Sequence, residues 1–252
     1  MDIITSTTNE TVKETVKLQQ KKYRDNLFIM EGQKVIDGAI ESDIKIQKIF
    51  INQKNEKLIQ KYKNCNLILT NEAVLKKIST TESAPDILAV GEQKKYSIEN
   101  IQGLNKILLL ENIKDAGNLG TIIRSALAFN FDAIILFGDT VDLYNPKTLR
   151  ATVGNLWKIP IVNIKEFSTL QQSFSNYQRI ATLPLSTNYL KNFTFKYPIL
   201  LMFGSEADGL SDELKNFATT DLKIEMNKKV ESLNLSVSAA VVMYEISSKQ
   251  MI

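Results

Sequence analysis

Three short segments in the C-terminal half hold the residues whose types and spacing suit chemistry. The first runs from Glu111 to Arg124 and carries Asn118, Gly120 and Arg124. It follows an apolar run and opens a helix, where backbone N–H groups without helical partners gather. Asn118 is well placed to cap that helix. Arg124 lies six residues on, which does not return to the same helix face, so the two converge only if Asn118 sits in the preceding loop. A capped helix with a solvated arginine explains the segment equally well.

The second segment, Gly204-Ser-Glu206-Ala-Asp-Gly209, stands directly after the apolar run Pro198 to Phe203. In open α/β sheets ligands bind at the carboxyl ends of the strands. Gly204 would let a ligand approach the backbone, and Glu206 would put a carboxylate at the edge. Taken alone, an ordinary strand-to-helix turn accounts for it better. The third, Ser232-Leu-Asn234-Leu-Ser236, brings three short hydrogen-bonding side chains to alternate positions before a last helix. One helix cap needs fewer.

The chain has no histidine and a single cysteine, Cys65. Histidine is the commonest general base and metal ligand. Catalysis is therefore left to carboxylates, hydroxyls, amides or a positioned arginine, with no metal expected. One cysteine allows no internal disulfide, which fits a reducing compartment. The first residues do not read as a secretory signal, and no apolar run is long enough to span a membrane. A cytoplasmic location is expected.

The elements that must position these segments form two α/β regions. With 44% apolar and 23% charged residues the composition is that of a folded protein. An amphipathic helix is expected from Asn9 to Lys22, then strands at Leu27–Met30, Ile46–Ile51, Leu67–Leu69 and Ile87–Val90. The polar stretch Gly91 to Gly103 divides the chain, giving domains at 1–92 and 105–252 with a linker at 93–104. Beyond it, Lys106–Leu110, Ala133–Phe137, Ile159–Ile164 and Pro198–Phe203 are continuous apolar runs, as in a parallel sheet covered on both faces. Helices are expected at about Leu119–Phe129 and Val237–Ser248. The last of these carries apolar residues on several sides, more than one core-facing stripe needs, so a homodimer is expected.

Together the three segments resemble the signature of the SpoU (TrmH-type) 2′-O-ribose methyltransferases: N-x-G-x-x-x-R, then G-x-E-x-x-G, then S-L-N-x-S. The segment Tyr144 to Gly154, with Arg150, also looks like part of the family pattern. The resemblance covers roughly Leu108 to Ile246. It implies a parallel-sheet domain closed by a trefoil knot, an exception to the usual connection rules, and a fold that usually dimerises. It implies S-adenosylmethionine as cofactor, contacted by Gly204, Ile224, Met226 and Leu233. It implies a ribose hydroxyl of structured RNA as acceptor, with Arg124 as the central catalytic residue and Asn118, Glu206, Ser232 and Asn234 around it.

The N-terminal stretch from Lys17 to Gly32 resembles the L30e-like substrate-binding domain of many relatives. That likeness turns Lys21, Lys22 and Arg24, otherwise a solvated helix face, into expected RNA contacts, with Arg150 as a further one. It favours ribosomal over transfer RNA. Three positions depart from the family pattern. Ala116 replaces a usual proline, Ser238 replaces a usual alanine, and Ile224-Glu225-Met226-Asn227-Lys228 replaces Ile-Pro-Met-x-Gly. The last change keeps a non-catalytic RNA-binding protein of the same fold open as a rival. A nucleotide-dependent enzyme of ordinary doubly wound type is a weaker one, because the full G-x-G-x-x-G fingerprint is missing.

Overall fold

The computed structural model describes residues 2–250, in two compact units. Met1–Lys94 and Asp142–Trp157 form the first; Lys95–Val141 and Lys158–Ile252 form the second.

The first unit contains β1 (Asp2–Ile4), α1 (Glu10–Lys17), β2 (Leu27–Glu31), α2 (Gln33–Glu41), β3 (Ile46–Asn52), α3 (Glu56–Lys61), β4 (Leu67–Thr70), α4 (Glu72–Ile78) and β5 (Ile87–Glu92). Its sheet runs β1-β4-β3-β5-β2, with β5 antiparallel to both neighbours. Asparagines start three of the helices: Asn9, Asn55 and Asn71 each accept a backbone N–H of the first turn, satisfying a donor that the helix cannot. Val12, Ile29, Phe50, Val74 and Leu88 meet in the core between sheet and helices.

Helix α1 ends at Lys17 rather than continuing to Lys22 as the sequence predicts. The N–H groups of Leu18, Gln19 and Gln20 turn to carbonyls three residues back, which tightens the last turn. The carbonyls of Leu18 and Gln19, which a longer helix would need, are taken by the Arg24 guanidinium at 2.7 and 3.0 Å. A separate single turn, Lys21–Tyr23, follows.

The second unit contains β6 (Lys106–Glu111), α5 (Ala116–Ala128) and β7 (Ala133–Phe137). After β7 the chain contributes α6 (Pro146–Thr152) to the first unit. It returns with β8 (Ile161–Ile164), α7 (Phe167–Phe174), β9 (Gln178–Thr182), β10 (Ile199–Phe203), α8 (Asp212–Phe217), β11 (Thr220–Leu222) and α9 (Leu235–Gln250). The sheet order is β11-β9-β10-β6-β7-β8 and every pairing is parallel. Strands β6, β7 and β10 are buried throughout, which is why they read as unbroken apolar runs. Strands β9 and β11 were not legible as such: Gln178–Thr182 offers only Ile180 and Ala181 as adjacent apolar residues, and β11 only Leu222.

Within the first unit the segment 142–157 is held by two arginines. Arg24, 4% exposed, donates to the Tyr144 carbonyl at 2.8 Å and pairs with Asp142. Arg150 pairs with Glu31 at 2.6 Å and donates to Thr80 Oγ1 at 3.0 Å. Backbones also meet there. A Cβ added to Gly38 would lie 2.1 Å from the Gly154 carbonyl oxygen, so helix α2 can pass this segment only as glycine.

Candidate active site

The site forms where β9, β10 and β11 end, at the edge where parallel sheets receive ligands. A cavity of about 860 Å³ opens there, and Thr182, Phe203 and Leu222 from the three strand ends all line it. After β10 the chain makes the tight turn Gly204–Gly209, closed by reciprocal backbone bonds between Ser205 and Gly209 at 3.1 Å. A Cβ at Gly204 would fall 1.9 Å from the Gly209 carbonyl carbon. Glycine is therefore needed at 204 for the turn's own backbone to approach, a different reason from the ligand contact that the sequence predicts. The buried Glu111 at the end of β6 accepts the Ser211 N–H at 2.8 Å and so holds the far end of this turn.

The first catalytic segment differs from expectation in its capping. Asp115, not Asn118, caps α5, accepting the Asn118 N–H at 2.8 Å. The Asn118 side chain, released from capping, donates to Glu206 Oε1 at 2.7 Å. Its oxygen accepts the Asn234 amide at 3.1 Å. Asn234 does two things at once: its oxygen accepts the Ser236 N–H at 2.9 Å at the start of α9, while its nitrogen reaches across to Asn118. One member of each of the three sequence segments thus meets in a single line, Asn234 to Asn118 to Glu206.

Of the other expected residues, Gly204, Ile224, Met226, Ser232 and Leu233 all line the cavity. Arg124 does not. Sitting inside α5 six residues beyond Asn118, it is exposed and has no hydrogen bond or ion pair among the described residues. Lys21 and Lys22 are exposed on their turn. Arg24 corrects the expectation of an RNA contact: its guanidinium is buried and its donors are consumed by three carbonyls and Asp142. Arg150 is partly exposed, and its Nη1 bonds Glu31 and Thr80 within the first unit.

Sequence reading missed Leu183, Pro184 and Leu185, which follow β9 and line the cavity, with Leu185 94% exposed. Their only signal was the proline after a short apolar pair. Ser238 and Val242, on α9, complete that wall.

The sequence profile of the SpoU rRNA methylase family matches residues 105–244. The chain belongs to that family. A second profile, the MRM3-like substrate binding domain, matches residues 9–89. An uncharacterised tRNA/rRNA methyltransferase of Synechocystis is 30% identical, the alignment covering 98% of this chain and 94% of that one. The Bacillus subtilis 23S rRNA (guanosine(2553)-2′-O)-methyltransferase RlmP is 28% identical over 98% of this chain and 99% of its own. Among solved structures, the AdoMet-bound rRNA methyltransferase of Sinorhizobium meliloti superposes with a TM-score of 0.88 at 28% identity, covering 100% of this chain and 98% of that one. This SpoU chain thus matches such relatives along nearly its whole length. No helix among its described residues is long and apolar enough to cross a membrane.

Proposed function

We propose that this chain transfers a methyl group from S-adenosylmethionine to a ribose 2′-hydroxyl of ribosomal RNA. The observation that carries the reading is the Asn234–Asn118–Glu206 line beside a cavity at the carboxyl ends of β9, β10 and β11. Similarity to RlmP supports ribosomal RNA as the substrate.

The cavity suits the cofactor. Its volume of about 860 Å³ lies in the range of small-molecule sites, about 300–1,000 Å³. Apolar walls from Phe203, Ile224 and Leu233 suit an adenosine, and the Glu206 carboxylate suits a cationic ligand. When bound, S-adenosylmethionine supplies an electrophilic methyl group on a sulfonium sulfur. Gly204, Ile224, Met226 and Leu233 hold the cofactor, while Asn118, Ser232 and Asn234 keep Glu206 and the loop in register. Arg124 is assigned by its place in the N-x-G-x-x-x-R pattern and by its exposed guanidinium, unpaired among the described residues. Its planar fork of donors orients the hydroxyl or a neighbouring phosphate. Lys21 and Lys22 contact RNA phosphates.

Three finer points belong to the same reading. The protein is a homodimer, supported by exposed Val237, Val241 and Tyr244 along one side of α9. The chain beyond β11 is threaded as a trefoil knot, supported by the sheet order and the packing of α9 on α5. The location is cytoplasmic. The rival of a non-catalytic RNA-binding protein loses ground because Ile224 and Met226 still line the cavity despite the altered loop between them.

The test is twofold. Calorimetric titration should give saturable S-adenosylmethionine binding. Ribosomal RNA from a deletion strain should then gain label from methyl-labelled cofactor on a ribose. Cofactor binding without ribose label on any RNA would overturn the reading.

A further inference from the structure

The turn Lys21–Tyr23 projects more than charge. Tyr23 is 49% exposed, and its neighbour Lys22 carries an ammonium 4.7 Å from the ring centroid. No aromatic ring packs on Tyr23 among the described residues. Lys13 and Lys17 on α1, together with Lys21 and Lys22, are exposed as well. Tyr23 thus presents a half-exposed ring on the same turn as the exposed Lys21 and Lys22.

The turn is also held firmly from behind. Arg24, next in sequence, fastens the Leu18, Gln19 and Tyr144 carbonyls and Asp142. The Arg24 N–H closes the turn onto the Lys21 carbonyl. Of the four consecutive residues Lys21 to Arg24, three face solvent and the fourth is the anchor. The basic motif thus divides into presenting residues and a buried support.

We infer that Tyr23 is a stacking platform for an unpaired RNA base, with Lys21 and Lys22 taking the phosphates on either side of it. This rests on the reading of the chain as an RNA methyltransferase and names a specific contact within it. The chemistry is complementary: every base offers a π face to an aromatic ring, and single-stranded loops, not helical grooves, expose such faces. A duplex would engage the lysines but bring no unpaired base to the ring. The tyrosine hydroxyl plays no part, so phenylalanine should serve as well.

The experiment measures binding of the full chain to a labelled uridine decamer and to a blunt RNA duplex of equal length, across a salt series. Tyr23→Ala should weaken decamer binding by about 5- to 140-fold, the loss that removal of a base-stacking ring produces. It should leave duplex binding and the salt slope unchanged. Tyr23→Phe should keep wild-type affinity, and the unchanged duplex binding of Tyr23→Ala excludes damage to the fold as the cause. Lys21→Ala with Lys22→Ala should instead lower the salt slope by about 0.7 per lost contact on the single strand. Wild-type decamer affinity in Tyr23→Ala, equal weakening on duplex and decamer, or no decamer binding by the wild-type chain overturns the inference. Parallel assay of methyl transfer to ribosomal RNA separates the two claims. Turnover with an indifferent Tyr23 removes only the platform, whereas a Tyr23-dependent decamer complex without turnover removes only the enzyme.

Discussion

Asn234 and Asn118, 116 positions apart, are joined side chain to side chain at 3.1 Å, and Asn118 passes the contact on to Glu206 at 2.7 Å. The arrangement uses both ends of each amide. Asn234 caps α9 with its oxygen and bonds Asn118 with its nitrogen; Asn118 accepts with its oxygen and donates to the carboxylate. Neither residue can be exchanged for aspartate without turning a donor into an acceptor.

Asn118→Ala should therefore lower kcat/KM by about 100-fold, the cost of letting a positioned group drift. Asn234→Ala should do the same and also destabilise the protein by about 1 kcal/mol through loss of the cap. The double variant should lose far less than the product of the two effects, because both remove one line. Steady-state kinetics on the four proteins checks this, and strict additivity would mean that the two asparagines act separately.

Arg124→Ala should reduce methylation by at least about 100-fold while leaving cofactor affinity intact. The guanidinium is exposed and unpaired among the described residues, so its removal should change stability by less than about 0.5 kcal/mol. Arg124→Lys should not restore the rate, since an ammonium lacks the planar fork. Near-normal turnover in the purified alanine variant would exclude the role.

Arg24 separates a supporting residue from a binding one. Removing its guanidinium takes a donor from three carbonyls and leaves Asp142 with the Tyr144 N–H, and breaking a buried pair costs about 3–5 kcal/mol. Arg24→Ala should show a clearly lowered thermal midpoint, whereas Lys21→Ala with Lys22→Ala should melt like the wild-type chain. Calorimetric scans of the two variants decide it. Equal melting would mean that Arg24 is not the anchor.

The legible parts of this molecule were those in which sequence order and local pattern carry the structure. Buried parallel strands such as Lys106–Glu111 and Ile199–Phe203 announced themselves because both faces are covered. The three polar segments were legible through the family pattern, and two of their asparagines and Glu206 meet in space. The burial of Arg24 was hidden because its partners, Asp142 and Tyr144, come from about 120 positions away, and an arginine in a basic run looks the same whether buried or exposed. The capping of α5 by Asp115 was misjudged for a related reason. Two residues, three apart, were both competent caps, and only the contact of Asn118 with Glu206 decides between them.

Ala239, Val242, Met243 and Ile246 are buried on one side of α9, while Val237, Val241 and Tyr244 are exposed on another. The exposed three recur at the four- and three-residue spacing of one helix face, and Tyr244 packs edge-on against Phe129 at 5.7 Å. A helix facing water on that side would be expected to carry charge there. Burial of this stripe against its copy across a two-fold axis would account for it, since such an axis presents the same patch to itself. Val241→Glu would bring two carboxylates into that contact, with no hydrogen-bond partner to offset their desolvation. The wild-type chain should sediment as a dimer at micromolar concentration, and Val241→Glu should sediment as a monomer that still melts cooperatively. A wild-type chain that sediments as a monomer, or a variant that remains dimeric, would exclude α9 as the interface.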